Sequence, residues 1–306
     1  EIYMMSEQER QIGRSTLADG RISFPTPLPT AGDPVAMDLA DLDGDGVPEI
    51  LYIVKAKSAA GADQYELKAL KRDPSGDFKP FAWAGEQVVT TPGLGGAPAA
   101  IKALDVNQDQ LADLFIFPGF GSPILLIGQK DQAPKPFTGS LGPMGAASPT
   151  SLSVMDLDGP APIVAQNTFA RRVLLDAQNQ WGIKDQYNSG RTAAQIQGAA
   201  ILDLDGDGDK DVVLLDKVSK SLLFLSARDG VYRPVGNLPI GSIAFEGLHV
   251  ADFDGDGRDD LLIAGSDRFG VLQTGRKGQR LKTLATYESK RTEARVSDLL
   301  AGDLNA

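Results

Sequence analysis

A short acidic motif recurs along this chain about every 50 residues. The fullest copies begin with the pattern DxDxDG, in which alternate residues are acidic, and continue into another acid and a run of apolar residues. Complete or nearly complete copies start at residues 41, 105, 203 and 252, and shortened copies start at residues 156 and 303. A repeat of this length predicts an array of similar units, each of which buries its faces against its neighbours.

The chemistry of the motif points to a metal ion. Alternate carboxylates in a tight loop bring hard oxygen donors to one side of the backbone, and such donors bind calcium. Positions 1, 3, 5 and 9 would supply side chains and position 7 a backbone carbonyl, while glycines at positions 4 and 6 allow a left-handed backbone. We therefore predict about four Ca²⁺ sites, with Mg²⁺ as the alternative ion. The predicted ligands are Asp41, Asp43, Asp45, Val47 and Glu49; Asp105, Asn107, Asp109, Leu111 and Asp113; Asp203, Asp205, Asp207, Asp209 and Asp211; and Asp252, Asp254, Asp256, Arg258 and Asp260.

Two copies depart from this pattern. In the second loop Gln110 stands where the other complete loops have glycine, so we expect strain or weaker binding there. In the copy at Asp156, Pro160 replaces the third carboxylate and Val164 replaces the closing acid. We predict that this copy keeps the turn and has lost the metal.

An EF-hand is the nearest alternative for alternating acids, but it needs a bidentate glutamate at position 12 and helices on both sides. Position 12 lies instead in a short, apolar and partly β-branched run in every complete copy. Such a run is typical of a buried strand, so each loop is predicted to join two strands. The residues at position 12 are Tyr52, Ile116, Leu214 and Ile263.

Four strands can be read in each repeat, and no segment shows convincing helical periodicity with caps. The predicted fold is all-β, a single β-propeller domain of four-stranded blades over residues 1–306. The N-terminal segment reads as three strands, and RVSDLLAGDLNA at the other end reads as a first strand. Pairing of these ends would close a ring of six blades and protect its edges. Because the chain stops inside a motif, we expect it to be part of a longer protein, in which seven blades are an alternative.

The repeat resembles that of the FG-GAP/VCBS family of calcium-loop β-propellers, which includes the integrin α-subunit head. The likeness covers essentially the whole chain and is closer to bacterial VCBS-type repeats, since FPGFG and AGSDR follow the second strands in place of Gly-Ala-Pro. It implies a secreted, periplasmic or cell-surface protein whose blades are stiffened by calcium and whose loops serve adhesion or docking. Some relatives carry polysaccharide-cleaving or other enzymatic domains, so the resemblance does not decide the activity.

Composition bounds the function further. The net charge is −11, from 41 acidic and 30 basic residues. Fifteen of the acids are predicted to bind metal through their carboxylates, so the acidity reflects the metal sites rather than a cationic partner. The chain has no cysteine, which excludes disulfides and cysteine nucleophiles. No apolar stretch is long enough to span a bilayer.

The leading hypothesis is an extracytoplasmic interaction or scaffold module that binds an unknown protein or glycan ligand, or other domains of the same longer chain. Candidate contact segments are Lys55–Gln64 and Gly85–Pro98, because insertions in repeat folds map to one face. The alternatives are a propeller domain of a polysaccharide-acting enzyme and a structural subunit of an envelope complex.

Little in the sequence supports an enzyme. The single histidine, His249, precedes a metal loop and is better explained as a packed or solvent-facing residue, and no catalytic or cofactor-binding residue is predicted. The basic stretch Arg276–Arg295 is typical of solvated turns with few aromatic residues, so nucleic-acid binding is not expected.

Overall fold

The computed structural model describes residues 2–6, 9–18, 21–58, 60–83, 89–91, 94, 96–130, 132–156, 160–228, 231–241, 245–252, 256–265, 268–275 and 282–288. Within these residues the fold is all-β, with one 3-10 helix at Gly142–Ala146, as the sequence predicted. Two compact units are distinguishable, one over residues 1–149 and 176–180 and the other over residues 150–175 and 181–306.

The first unit contains three antiparallel sheets and a small ribbon. The first sheet is formed by β1 (Ile2–Ser6), β2 (Gln11–Ser15) and β5 (Thr26–Pro27), and the ribbon by β3 (Leu17–Ala18) and β4 (Arg21–Ile22). The second sheet contains β6 (Asp33–Ala40), β7 (Glu49–Lys57) and β8 (Asp63–Arg72), and the short strands β9 (Phe78–Pro80) and β10 (Val89–Thr90) both pair with β8. The third contains β11 (Pro98–Leu104), β12 (Asp113–Pro118), β13 (Ile124–Gln129) and β14 (Gln132–Pro136).

The second unit contains three four-stranded antiparallel sheets. They are formed by β15 (Leu152–Asp156), β16 (Pro160–Gln166), β17 (Phe169–Leu175) and β18 (Trp181–Asn188); by β19 (Ile196–Leu202), β20 (Asp211–Asp216), β21 (Ser221–Arg228) and β22 (Val231–Pro239); and by β23 (Phe245–Ala251), β24 (Asp260–Gly265), β25 (Arg268–Gln273) and β26 (Lys282–Glu288).

These six sheets are the blades of a β-propeller fold, as predicted. In the four sheets from β11 onward each strand lies beside the strand that precedes it in the chain, which is the simplest antiparallel order. The N-terminal sheet has three strands among the described residues, in agreement with the sequence reading. The C-terminal strand predicted to complete it, and with it the closure of the ring, lies outside the described residues.

The second strand β7 is buried on both faces over residues 49–54 because neighbouring sheets pack against it. On β7 the side chains alternate between two hydrophobic clusters. Leu51 and Ile53 pack with side chains of β11 and β12, whereas Ile50 and Tyr52 pack with side chains of β2. This arrangement explains why the run after each acidic loop is continuously apolar, as in strands that are covered on both sides.

A β-bulge occurs at the same distance before each of the four complete acidic loops. It shifts the register between the first and second strands of the blade, whereas β15 and β16, at the shortened motif, pair without a shift. A bulge bends the strand and increases its local twist. The shifts lie between Pro34 and Ala36, Pro98 and Ala100, Ile196 and Gly198, and Phe245 and Gly247.

The structure changes the interpretation of one candidate contact segment. Residues Lys55–Gln64 were expected to be a long connection, but β7 extends to Lys57 and β8 begins at Asp63. A regular hairpin therefore replaces the expected loop. The other segment, Gly85–Pro98, contains β10 and lies partly outside the described residues. No helix among the described residues is long and apolar enough to cross a membrane.

Candidate metal centres

Each complete acidic motif forms the loop between the first and second strands of a blade. The four loops connect β6 to β7, β11 to β12, β19 to β20 and β23 to β24. The residue at position 12 of each motif is buried in the second strand, as predicted. A strand at this place excludes the flanking helix of an EF-hand. The four residues are Tyr52, Ile116, Leu214 and Ile263.

The first acid of each loop shapes the turn by accepting backbone hydrogen bonds. Asp41 accepts from the Gly44 amide through Oδ1 at 2.7 Å and from the Gly46 amide through Oδ2 at 2.9 Å. Asp203 accepts in the same way from the amides at positions 4 and 6 of its own loop, at 2.7 and 3.0 Å. The turn is therefore held by the ligand residues themselves.

The carboxylate at position 5 is held by a backbone hydrogen bond in all four loops. One of its oxygens accepts a hydrogen bond from the amide of position 7, at 2.8 to 3.1 Å. A carboxylate held through one oxygen has its orientation restricted before any ion arrives, so less conformational entropy is lost on binding. The donor and acceptor pairs are Val47 and Asp45, Leu111 and Asp109, Asp209 and Asp207, and Arg258 and Asp256.

The second loop lacks the glycines of the other loops. Gln108 and Gln110 occupy positions 4 and 6 with φ angles of 60° and 70°, in the left-handed region. A side chain in this region costs roughly 1 kcal/mol or more relative to glycine. The strain expected at Gln110 is confirmed, and Gln108 shares it. Weaker metal binding at this loop stays a prediction.

The closing acids at position 9 are the most buried part of each site. Glu49, Asp113, Asp211 and Asp260 are exposed by only 1, 0, 4 and 1 %. In the first three loops one carboxylate oxygen accepts the backbone N–H of position 2, at 2.9 to 3.1 Å. The closing acid therefore ties the start of the loop to the start of the second strand.

Burial without a cation is unfavourable for these anions. It raises the pKa of Asp113 to about 7, although hydrogen bonds from the amides of Val106 and Gly128 lower it. Burial likewise raises the pKa of Glu49 and that of Asp211. A low-dielectric site that holds several carboxylates favours a bound cation or a shared proton.

Two of the loops bring three carboxylates together. Among the described residues, oxygens of Asp41, Asp43 and Asp45 lie within 4.8 Å of one another, and so do oxygens of Asp203, Asp205 and Asp211. A set of oxygen donors at this spacing fits a hard divalent cation.

A basic residue of another strand lies against the first loop, and sequence reasoning missed it. The ammonium of Lys71, in β8, lies 2.5 Å from Asp43 Oδ2, 2.5 Å from Asp45 Oδ2 and 3.3 Å from Glu49 Oε1. Its hydrogen bond is the main reason that the pKa of Asp45 is lowered. Glu49 Oε1 and Asp43 Oδ1 are buried and accept no hydrogen bond from the residues that the structure describes. Only the strand register could have revealed this contact. Ile50 of β7 pairs with Leu70 of β8, and Lys71 is the next residue after Leu70, as Glu49 is the residue before Ile50.

The fourth loop is described in part. Asp252 accepts hydrogen bonds from the amides of Asp256 at 3.1 Å and Gly257 at 2.7 Å, and the guanidinium of Arg258 contacts Asp256. Asp254 lies outside the described residues, as do residues 157–159 of the shortened motif, the shortened motif at 303 and much of the basic stretch. Predictions on these residues stay predictions.

Comparison with known protein families identifies a repeat in the segment that contains the third loop. Residues 203–263 match the family described as FG-GAP-like repeat. The matched segment is similar to an FG-GAP-like repeat. It extends from Asp203, at the start of the third acidic loop, into β24, and it therefore contains the converging carboxylates of that loop. No curated protein sequence matches the chain.

Solved structures are similar to the chain in fold. A protein from Lactobacillus plantarum has a TM-score of 0.54 and 12% identity, and the match covers 91% of this chain and 78% of that one. A protein from Bacteroides fragilis, assigned provisionally as a 6-phosphogluconolactonase, also has a TM-score of 0.54, with 11% identity and coverage of 91% and 77%. At these identities the likeness shows the fold alone. The FG-GAP-like repeat is thus the sequence feature that bears on the site.

Proposed function

We propose that this protein is a calcium-binding β-propeller that acts as an extracytoplasmic interaction or scaffold module for a protein or glycan ligand. The observation that carries the proposal is the third loop, in which Asp203, Asp205 and Asp211 converge within 4.8 Å inside an FG-GAP-like repeat. Their mutual repulsion at this distance would be relieved by a divalent cation, and carboxylate oxygens are the ligands that calcium prefers.

The location of the loops supports a structural role for the ion. Asp203 holds the turn through two backbone amides, and Asp211 ties the turn to the buried strand β20. An ion bound here would join the loop to the core of its blade, and binding to the folded state alone adds stability. This leaves the surfaces of the blades available for contact with a partner.

An extracytoplasmic location fits the same chemistry. Calcium sites on extracellular modules bind with dissociation constants of roughly 10⁻⁴ to 10⁻³ M. A partly exposed loop with one buried acid is suited to that range, and it would fill where calcium is abundant. The likeness to a provisionally assigned 6-phosphogluconolactonase, at 11% identity, supports the fold and carries no activity to this chain.

Isothermal titration calorimetry with CaCl₂ tests the metal part of the proposal. We expect calcium binding that Asp205→Ala reduces by one site and that Asp209→Ala leaves unchanged, because Asp209 contributes only its carbonyl to the predicted shell. Absence of binding to the unmodified protein would refute the metal assignment.

A pull-down from the envelope and surface-glycan fraction of the source organism tests the interaction part. It would be run in parallel with calcium and with chelator. A partner captured only with calcium supports recognition that depends on the metal, and a partner retained in chelator makes calcium purely structural. Capture of no partner in either condition would argue against the interaction module and favour an internal part of a larger protein.

A further inference from the structure

We propose that Lys71 is a tethered cation that competes with calcium for the first acidic loop. The inference rests on the proposed calcium-binding function and concerns how one of its sites is controlled. Its consequence is that the four loops are not equivalent, although their motifs are similar in sequence.

The geometry at the first loop carries this inference. A single ammonium lies 2.5 Å from both Asp43 Oδ2 and Asp45 Oδ2 and 3.3 Å from Glu49 Oε1. These three residues are predicted ligands, and the oxygens that face Lys71 are not the ones that the loop backbone holds on Asp45 and Glu49. The lysine side chain therefore uses the oxygens that a metal ion would need.

Burial makes the contact more than a surface ion pair. The Lys71 side chain is 32 % exposed, and the Glu49 side chain is fully buried. Lysine carries a compact and strongly hydrated point charge on a flexible stem. Held by two direct hydrogen bonds, it neutralises part of the loop, and the stem allows it to swing away when a divalent ion enters.

In the second and third loops the closing acid meets a neutral donor instead of an ammonium. The closing acid of the second loop, Asp113, accepts the amide of Gly128, and that of the third loop, Asp211, accepts the hydroxyl of Ser226. The lysine within the third loop, Lys210, pairs with Asp259, which is not a predicted ligand. A neutral donor on the closing acid leaves the charge of the third loop to be balanced by the ion.

Two properties follow for the first loop. It should keep its shape without metal, because the ammonium already offsets part of the charge of its acids. It should also bind calcium more weakly than the third loop, because the ion must displace the lysine. The sites would then fill in sequence as calcium rises, with the third loop before the first.

Calorimetry on Lys71→Met and on the matched control Lys79→Met tests the competition. Lys79 lies in the same blade, pairs with Asp73 and is 69 % exposed, so its removal leaves the loop untouched. Since a hydrogen bond to a charged group contributes about 1.5–3 kcal/mol, we expect Lys71→Met to raise the calcium affinity of one site by roughly tenfold or more. The control should match the unmodified protein. Equal affinities in all three proteins would overturn the proposal.

A second measurement needs no variant, so it decides the matter even if Lys71→Met does not fold. Lysines of the unmodified protein are acylated briefly in chelator and in saturating calcium, and modified peptides are quantified by mass spectrometry. Calcium should increase the acylation of Lys71 several-fold and leave that of Lys79 unchanged. An unchanged Lys71, in a protein that does bind calcium, refutes the competition. A protein that binds no calcium at all refutes the proposed function, and the inference with it.

Discussion

Asp205→Ala separates the structural and metal-binding roles of the third loop. Asp205 is half-buried, and its Oδ1 accepts a hydrogen bond from the Asp207 amide at 3.2 Å. Together with Asp203 and Asp211 it forms the converging carboxylate group. The substitution removes one ligand and leaves both hydrogen bonds that hold the turn on Asp203.

The two conditions give different expected magnitudes. In chelator the variant loses one weak hydrogen bond, about 0.5–1 kcal/mol, and gains by the relief of repulsion between carboxylates. Its stability should therefore remain within about 1 kcal/mol of the unmodified protein. At a calcium concentration 100 times the dissociation constant, the unmodified protein gains about 2.7 kcal/mol from this site. The variant should lose that gain.

Thermal denaturation in calcium and in chelator provides the assay. At roughly 2 °C per kcal/mol for a protein of this size, the calcium-induced rise in Tm should be about 5 °C smaller in Asp205→Ala. Asp209→Ala, whose exposed side chain is not a predicted ligand, should keep the full rise. An equal loss in chelator and in calcium would show that Asp205 acts through the fold alone, and the ligand assignment would be wrong.

Three further predictions each concern a single residue. Asp185→Ala removes the carboxylate that lies 2.6 Å from Arg172, whose side chain is 4 % exposed while that of Asp185 is 35 % exposed, and should cost about 1–3 kcal/mol in chemical denaturation; an unchanged stability would contradict a stabilising ion pair. Gln110→Gly should stabilise the protein by about 1 kcal/mol, because φ is 70° at this position, and a destabilised variant would argue against the strain. In chelator, the free energy of unfolding should fall by a few kcal/mol as the pH rises from about 4 to 7. The reason is that burial raises the pKa of Asp113 to about 7. Over this pH range the folded state therefore holds a proton that the unfolded state has released. Asp113→Asn should reduce this dependence, and an unchanged pH profile in that variant would assign it to other groups.

Local patterns in the sequence predicted the blades well. The acidic loop, the buried strand after it and the near absence of helix all follow from residue periodicity and turn chemistry within about 20 residues. The strand reading EILYIV became β7, and DVVLL lies within β20. The reading failed at Lys55–Gln64, where a longer connection was expected, because a hairpin that projects from a sheet can expose both faces and still satisfy its backbone.

The sequence alone determined the residue types at each acidic loop, since the ligand positions are adjacent and their geometry is set by the backbone between them. The tertiary structure decided which side chain meets the closing acid. That contact comes from the third strand of the blade and depends on hairpin register, which places Lys71 beside Glu49 and Ser226 beside Asp211. Register reflects the packing of a whole sheet against its neighbours. For that physical reason four similar motifs can differ in charge, and hence in their response to calcium.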